Sequence, residues 1–126
     1  MDTELSNSVD TRFLKSGKIR LRFKLSDYAF EIVNCAFDLT DCKYSNTSLD
    51  YISMNFLSGF PQKYYKLKYP IQGNIRFLVR VYPDQYESIR LALDVAREPY
   101  KSDAEALVSM CLYFILVEKI TSGTSE

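Results

Sequence analysis

Lys18-Ile19-Arg20-Leu21-Arg22-Phe23-Lys24-Leu25 alternates cation and apolar residue without a break, the period-2 signature of a half-buried strand. Ile19, Leu21, Phe23 and Leu25 are expected to face a core, and Lys18, Arg20, Arg22 and Lys24 to share the opposite face. Asn74-Ile75-Arg76-Phe77-Leu78-Val79-Arg80-Val81 repeats the pattern. There Ile75, Phe77, Val79 and Val81 point inward, and Asn74, Arg76, Leu78 and Arg80 outward.

After each strand the period changes from 2 to about 3.6. Ser26 or Asp27 can cap a helix running to about Asp41, with Tyr28, Ile32, Cys35, Ala36 and Leu39 on one stripe. Cys42 to Asn46 reads as a polar connection. Thr47-Ser48-Leu49-Asp50 fits a capping box, and Leu49, Ile52, Ser53, Phe56 and Leu57 carry a second helix that Gly59 ends. In the second half, Pro83 or Asp84 opens a helix bearing Tyr86, Ile89, Leu93 and Ala96, stopped by Pro99. Ser102-Asp103-Ala104-Glu105 is a full capping box before a strongly apolar helix with Leu107, Val108, Cys111, Leu112, Phe114 and Ile115.

A shift of 56 residues sets Gly17 on Gly73, Ile19 on Ile75, Arg20 on Arg76, Leu25 on Val81, Glu31 on Glu87, Ala36 on Ala92 and Asp38 on Asp94. The capping boxes match at a shift of 55, whereas the Leu49…Phe56-Leu57 and Leu107…Phe114-Ile115 patterns prefer 58. Each unit is strand, helix, polar turn, helix, in roughly 40 residues, too few to bury a core alone. Two copies, with their strands paired antiparallel and four helices beneath the apolar face, remove that difficulty. The expected organisation is a tail over 1–16, repeats over 17–58 and 73–119, an extended crossover over 59–72, and a frayed tail over 120–126.

Strand, helix, turn and capped helix with a basic outer strand face resembles the ribbon-helix-helix fold of the MetJ/Arc superfamily. Residues 75–117 look like one protomer and 19–57 like a second, together about two thirds of the chain. The resemblance implies an α+β pseudo-dimer in one chain, a two-stranded antiparallel ribbon over four helices, where family members usually pair identical chains. It further implies that the ribbon enters the DNA major groove, which is about 12 Å wide and admits two strands. Carried onto this chain, Lys18, Arg20, Arg22, Lys24, Asn74, Arg76, Leu78 and Arg80 would read base edges. Only Arg20 and Arg76 are the same residue in both halves, so the expected site is an imperfect palindrome. Phosphates would be met near the second-helix amino ends by Thr47, Ser48, Lys101 and Ser102, and from the crossover by Lys63, Lys66 and Lys68.

Composition is compatible with this. Lys and Arg together number 16, as do Asp and Glu, so the net charge is zero; its distribution decides. Cations gather on the strands and crossover while acids gather on the helices, and it is the local field that steers a polyanion. There is no histidine, no P-loop, no GxGxxG and no nucleophile elbow, so an enzyme is not expected, nor a cofactor or metal. Cys35, Cys42 and Cys111 lack CxxC spacing; Cys35 and Cys111 read as reduced core thiols of a cytoplasmic protein. Neither a membrane span nor a secretory signal is evident. The expected function is sequence-specific binding of double-stranded DNA as a transcriptional repressor, with self-association along DNA open. The alternative is a protein-interaction module on the same fold, such as an antitoxin-like neutraliser or an assembly subunit. RNA is less suited, because its A-form major groove is too narrow for a ribbon.

Overall fold

The computed structural model describes residues 9–13, 17–59, 67–97 and 102–124. The chain is α+β. In order it forms β1 (Val9–Phe13), β2 (Ile19–Leu25), α1 (Asp27–Thr40), α2 (Ser45–Ser58), β3 (Ile75–Val81), α3 (Pro83–Arg97) and α4 (Asp103–Thr124).

β2 and β3 pair antiparallel from Ile19↔Val81 to Leu25↔Ile75, every residue in register. Their alternation sends Leu21, Leu25, Val79 and Val81 fully inward. The expected two-stranded pairing is therefore present, but a third strand joins it: β1 pairs antiparallel with the other edge of β2. This corrects the tail expected over 1–16 at residues 9–13; residues 1–8 and 14–16 lie outside the described residues. The sheet order is β1-β2-β3.

α1, α2 and α4 lie against the β2–β3 pair; α1 packs on α4, and α3 packs on α2 and α4. α4 is the central helix: Ala106, Leu107, Val108, Met110, Cys111 and Phe114 are wholly buried, which explains a sequence apolar on nearly every side. Each such side chain contributes roughly 1.5–3 kcal/mol for the larger residues. Leu49, Ile52 and Phe56 of α2 meet this core, and Tyr51 and Phe56 stack edge-on against Phe114 and Tyr113, at 5.7 and 5.5 Å.

Helix ends follow local chemistry. The Ser26 hydroxyl accepts from the Ala29 amide at 3.2 Å, and Asp41 closes α1 in the left-handed region at φ 56°. Pro83 occupies the first position of α3, where its missing N–H costs nothing, and Gln85 accepts from the Tyr82 amide at 3.0 Å. Residues 60–66 lie outside the described residues; the last residues of the crossover, 67–72, pass over the β2–α1 junction. There the Ser26 amide and hydroxyl donate to the Ile71 and Pro70 carbonyls, each at 2.7 Å.

Three expectations about the helices need correction. The buried stripe of α1 is Ala29, Val33 and Ala36, while Leu39 and Cys35 are exposed. Cys35 is thus no core thiol, although Cys111 is. α2 begins at Ser45, two residues before Thr47, with Tyr44 as its cap and no side-chain capping bond; the Thr47–Asp50 box does not form. α4 continues to Thr124 through the residues expected to fray. Ser102 does cap α4, accepting from the Glu105 amide at 3.1 Å.

Candidate nucleic-acid interface

The outward residues of β2 and β3 are brought together by the strand register. Arg20 stands opposite Arg80, Arg22 opposite Leu78, and Lys24 opposite Arg76. Directly opposed residues of an antiparallel pair share a face, with Cβ atoms about 5 Å apart. Arg22, Lys24, Asn74, Arg76 and Arg80 are exposed, and Arg20 and Lys18 half-buried. Leu78 is 38% exposed, an apolar patch among the cations. Lys18, one residue before β2, holds its ammonium 4.9 Å above the centre of the Tyr82 ring. Asn74 lies at the opposite end, just before β3.

Two of these cross-strand pairs oppose like charge to like charge. Such pairs oppose folding by a few tenths of a kcal/mol each in water. The exposed part of the face thus carries Arg22, Lys24, Arg76 and Arg80 around the apolar Leu78.

The amino ends of α2 and α4 differ. α2 has no acid in its first turn and no side chain on its orphan amides. Thr47 is exposed there. Lys43, exposed and 5.5 Å from the centre of the Tyr44 ring, stands just before it; strand alternation does not single it out, and its place in Cys42-Lys43-Tyr44 ahead of an uncapped helix is the signal that does. Ser48, expected to meet phosphate, is instead 2% exposed and shares a 2.7 Å hydrogen bond with the Thr40 hydroxyl, so it ties α2 to α1. At α4, the Ser102 hydroxyl is engaged in capping. Asp103 and Glu105 add negative charge to that first turn. Asp103 receives Arg90 and Arg97 at 2.9 and 3.1 Å. The amino end of α2 is therefore the less negative and less capped of the two. Lys68 is exposed; Lys63, Lys66 and Lys101 lie outside the described residues.

Among the described residues no group of three or more Cys, Asp or Glu is arranged to hold a metal ion, and no helix is long and apolar enough to cross a membrane. Burial pushes the Cys111 thiol up, as does Cys35. Comparison with protein-family models, with curated proteins and with solved structures finds no match for this chain.

Proposed function

We propose that this chain binds double-stranded DNA sequence-specifically, as a transcriptional repressor that lays the β2–β3 face into the major groove. The observation that carries this is the opposition of Arg20 to Arg80 and Lys24 to Arg76 around Leu78. Cations opposed across the two strands repel one another, and a polyanion laid across them relieves that repulsion. Arg and Lys suit guanine O6 and N7, Asn74 suits adenine, and Leu78 suits a thymine methyl.

The single-chain pseudo-dimer of ribbon-helix-helix type belongs to the same proposal. Support comes from the register. A 56-residue shift makes Arg22 equivalent to Leu78, and these two residues are also paired across the strands. Around that pair, Ile19↔Val81 and Leu25↔Ile75 exchange under the same shift. α1 and α3 begin 56 residues apart, and α2 and α4 begin 58 apart. At 58, Leu49, Ile52 and Phe56 fall on Leu107, Met110 and Phe114, all wholly buried. Phosphate contacts come from the α2 amino end with Lys43 and Thr47, and less from α4.

The third strand favours the second reading, a protein-binding module, because it widens the sheet beyond a ribbon. Titration of random-sequence duplex DNA at several salt concentrations separates the two. The wild-type chain should bind with an affinity that falls steeply with salt. Lys24→Ala/Arg76→Ala/Arg80→Ala, all at exposed positions, should remove binding while leaving thermal unfolding nearly unchanged. Undiminished binding by that variant would falsify the strand face as the reader.

A further inference from the structure

We propose that β1 gates the basic face, so that its pairing with β2 and entry of that face into duplex DNA exclude one another. The gate rests on the DNA reading above and supplies its regulation. Neighbouring strands lie about 4.8 Å apart, so the axes of β1 and β3 are separated by roughly 10 Å before any atomic radius is added. A groove about 12 Å wide takes two strands; a third would be driven into the phosphate wall beside β2.

Two features make β1 the strand that yields. It is five residues long, and its register with β2 is irregular between Asp10 and Phe13, whereas the seven β2–β3 pairs run unbroken. β1 itself carries one acid, Asp10, and one cation, Arg12. The register sets Asp10 opposite Arg20. An acid at this register position favours pairing beside a cationic strand and is disfavoured beside phosphate, so the arrival of DNA weakens the pairing of β1. Releasing β1 lowers the apparent affinity by the fraction of molecules in which the strand is displaced.

The test uses the full chain and a random-sequence duplex at fixed salt. Alternate N–H groups of a strand face its neighbour, so of Val9→Pro/Thr11→Pro and Asp10→Pro/Arg12→Pro, one pair must delete ladder bonds. At least one of the two should bind about tenfold more tightly than wild type, a release of the competent state of the size population shift allows. In the wild-type chain, the amides of 9–13 should lose hydrogen-exchange protection when DNA is added. If both variants bind no more tightly than wild type, or if those amides keep their protection in the complex, the gate is overturned while the DNA reading stands. If neither wild type nor variants bind duplex, the DNA reading itself fails and takes the gate with it.

Discussion

Arg22 of β2 and Leu78 of β3 face each other at the midpoint of their seven-residue pairing, and they are also the positions that a 56-residue shift makes equivalent. In a ribbon made of two copies, only the residue on the two-fold axis meets its own counterpart. Here that meeting is between a cation and an aliphatic side chain, so under the proposed duplication the two halves would differ most at the centre.

Duplexes selected from a random pool by the wild-type chain should therefore be imperfect palindromes, with the departure at the central step. Leu78→Arg should bring the selected sites closer to a true palindrome and enrich guanine at the centre, with a gain of about 1–3 kcal/mol for a bidentate contact. The slope of log affinity against log salt should steepen by at most about one. Selection of perfect palindromes by the wild type would rule out unequal halves.

How much of this was legible beforehand differs by element. β2 was readable because eight residues of strict alternation have no helical interpretation, and β3 because it keeps that alternation except at Leu78. β1 was not, although Val9, Thr11 and Phe13 alternate with Asp10 and Arg12: five residues with one strong apolar anchor at each end are too short a signal, and edge pairing is made by backbone groups that sequence does not show. The α1 stripe was misplaced by starting from Tyr28. Transferring Ile89 and Ala92 back by 56 residues gives Val33 and Ala36, which are the buried positions. In α2 the Thr47–Asp50 box misled because caps contribute about 1 kcal/mol, whereas the Leu49–Phe56 pattern buries several large side chains and so decided the register. The basic face followed directly from alternation; Ser48 did not, since its hydrogen bond to Thr40 depends on how α1 and α2 pack.

Asp103 fastens the first turn of α4 to α3. Its carboxylate accepts from Arg90 at 2.9 and 3.1 Å and from Arg97 at 3.1 Å, with only 5% of the side chain exposed. Burial lowers the Arg90 pKa, but Asp103 and then Asp94 outweigh this and hold it above its ordinary value. Asp103→Ala should cost about 2–4 kcal/mol in urea unfolding, because it leaves a partly buried guanidinium with the exposed Asp94 as its remaining carboxylate partner among the described residues. Arg90→Met/Asp103→Leu should cost well under the sum of its single changes. Additive losses would show that the pair is not coupled.

Gly73 passes so close to the β2–α1 junction that a Cβ would sit 2.5 Å from the Ser26 Cα and 2.7 Å from the Leu25 carbonyl oxygen. Backbone on both sides cannot yield without disturbing the Ser26 bonds to Pro70 and Ile71. Gly73→Ala should destabilise by about 1–3 kcal/mol. At Gly59 the obstacle is the outer end of the Tyr113 ring, a side chain able to turn, so Gly59→Ala should cost less. Equal melting temperatures for wild type and Gly73→Ala would contradict the close approach.

Asp50 on α2 lies near Asp84 at the start of α3; burial first, and then the Asp84 charge, raise its carboxyl above the ordinary 3.8. A raised carboxyl binds its proton more readily folded than unfolded, so acidification favours the fold at this position. Its stabilising contribution is full below the unfolded value and is lost as pH rises through the folded one, leaving two ionised acids in mutual repulsion at neutral pH. Asp50→Asn should consequently be the more stable protein at neutral pH, by a few tenths of a kcal/mol once solvent screening is counted. That advantage should shrink as pH approaches the ordinary carboxyl range. Asp84→Asn should not reproduce it, because the Asp84 carboxylate accepts from the Gln85 amide at 2.9 Å and favours the helix amino end. Thermal unfolding of both variants across that pH range checks the sign: a neutral-pH loss for Asp50→Asn would mean that the Asp50 charge is held by a favourable partner and not opposed by Asp84.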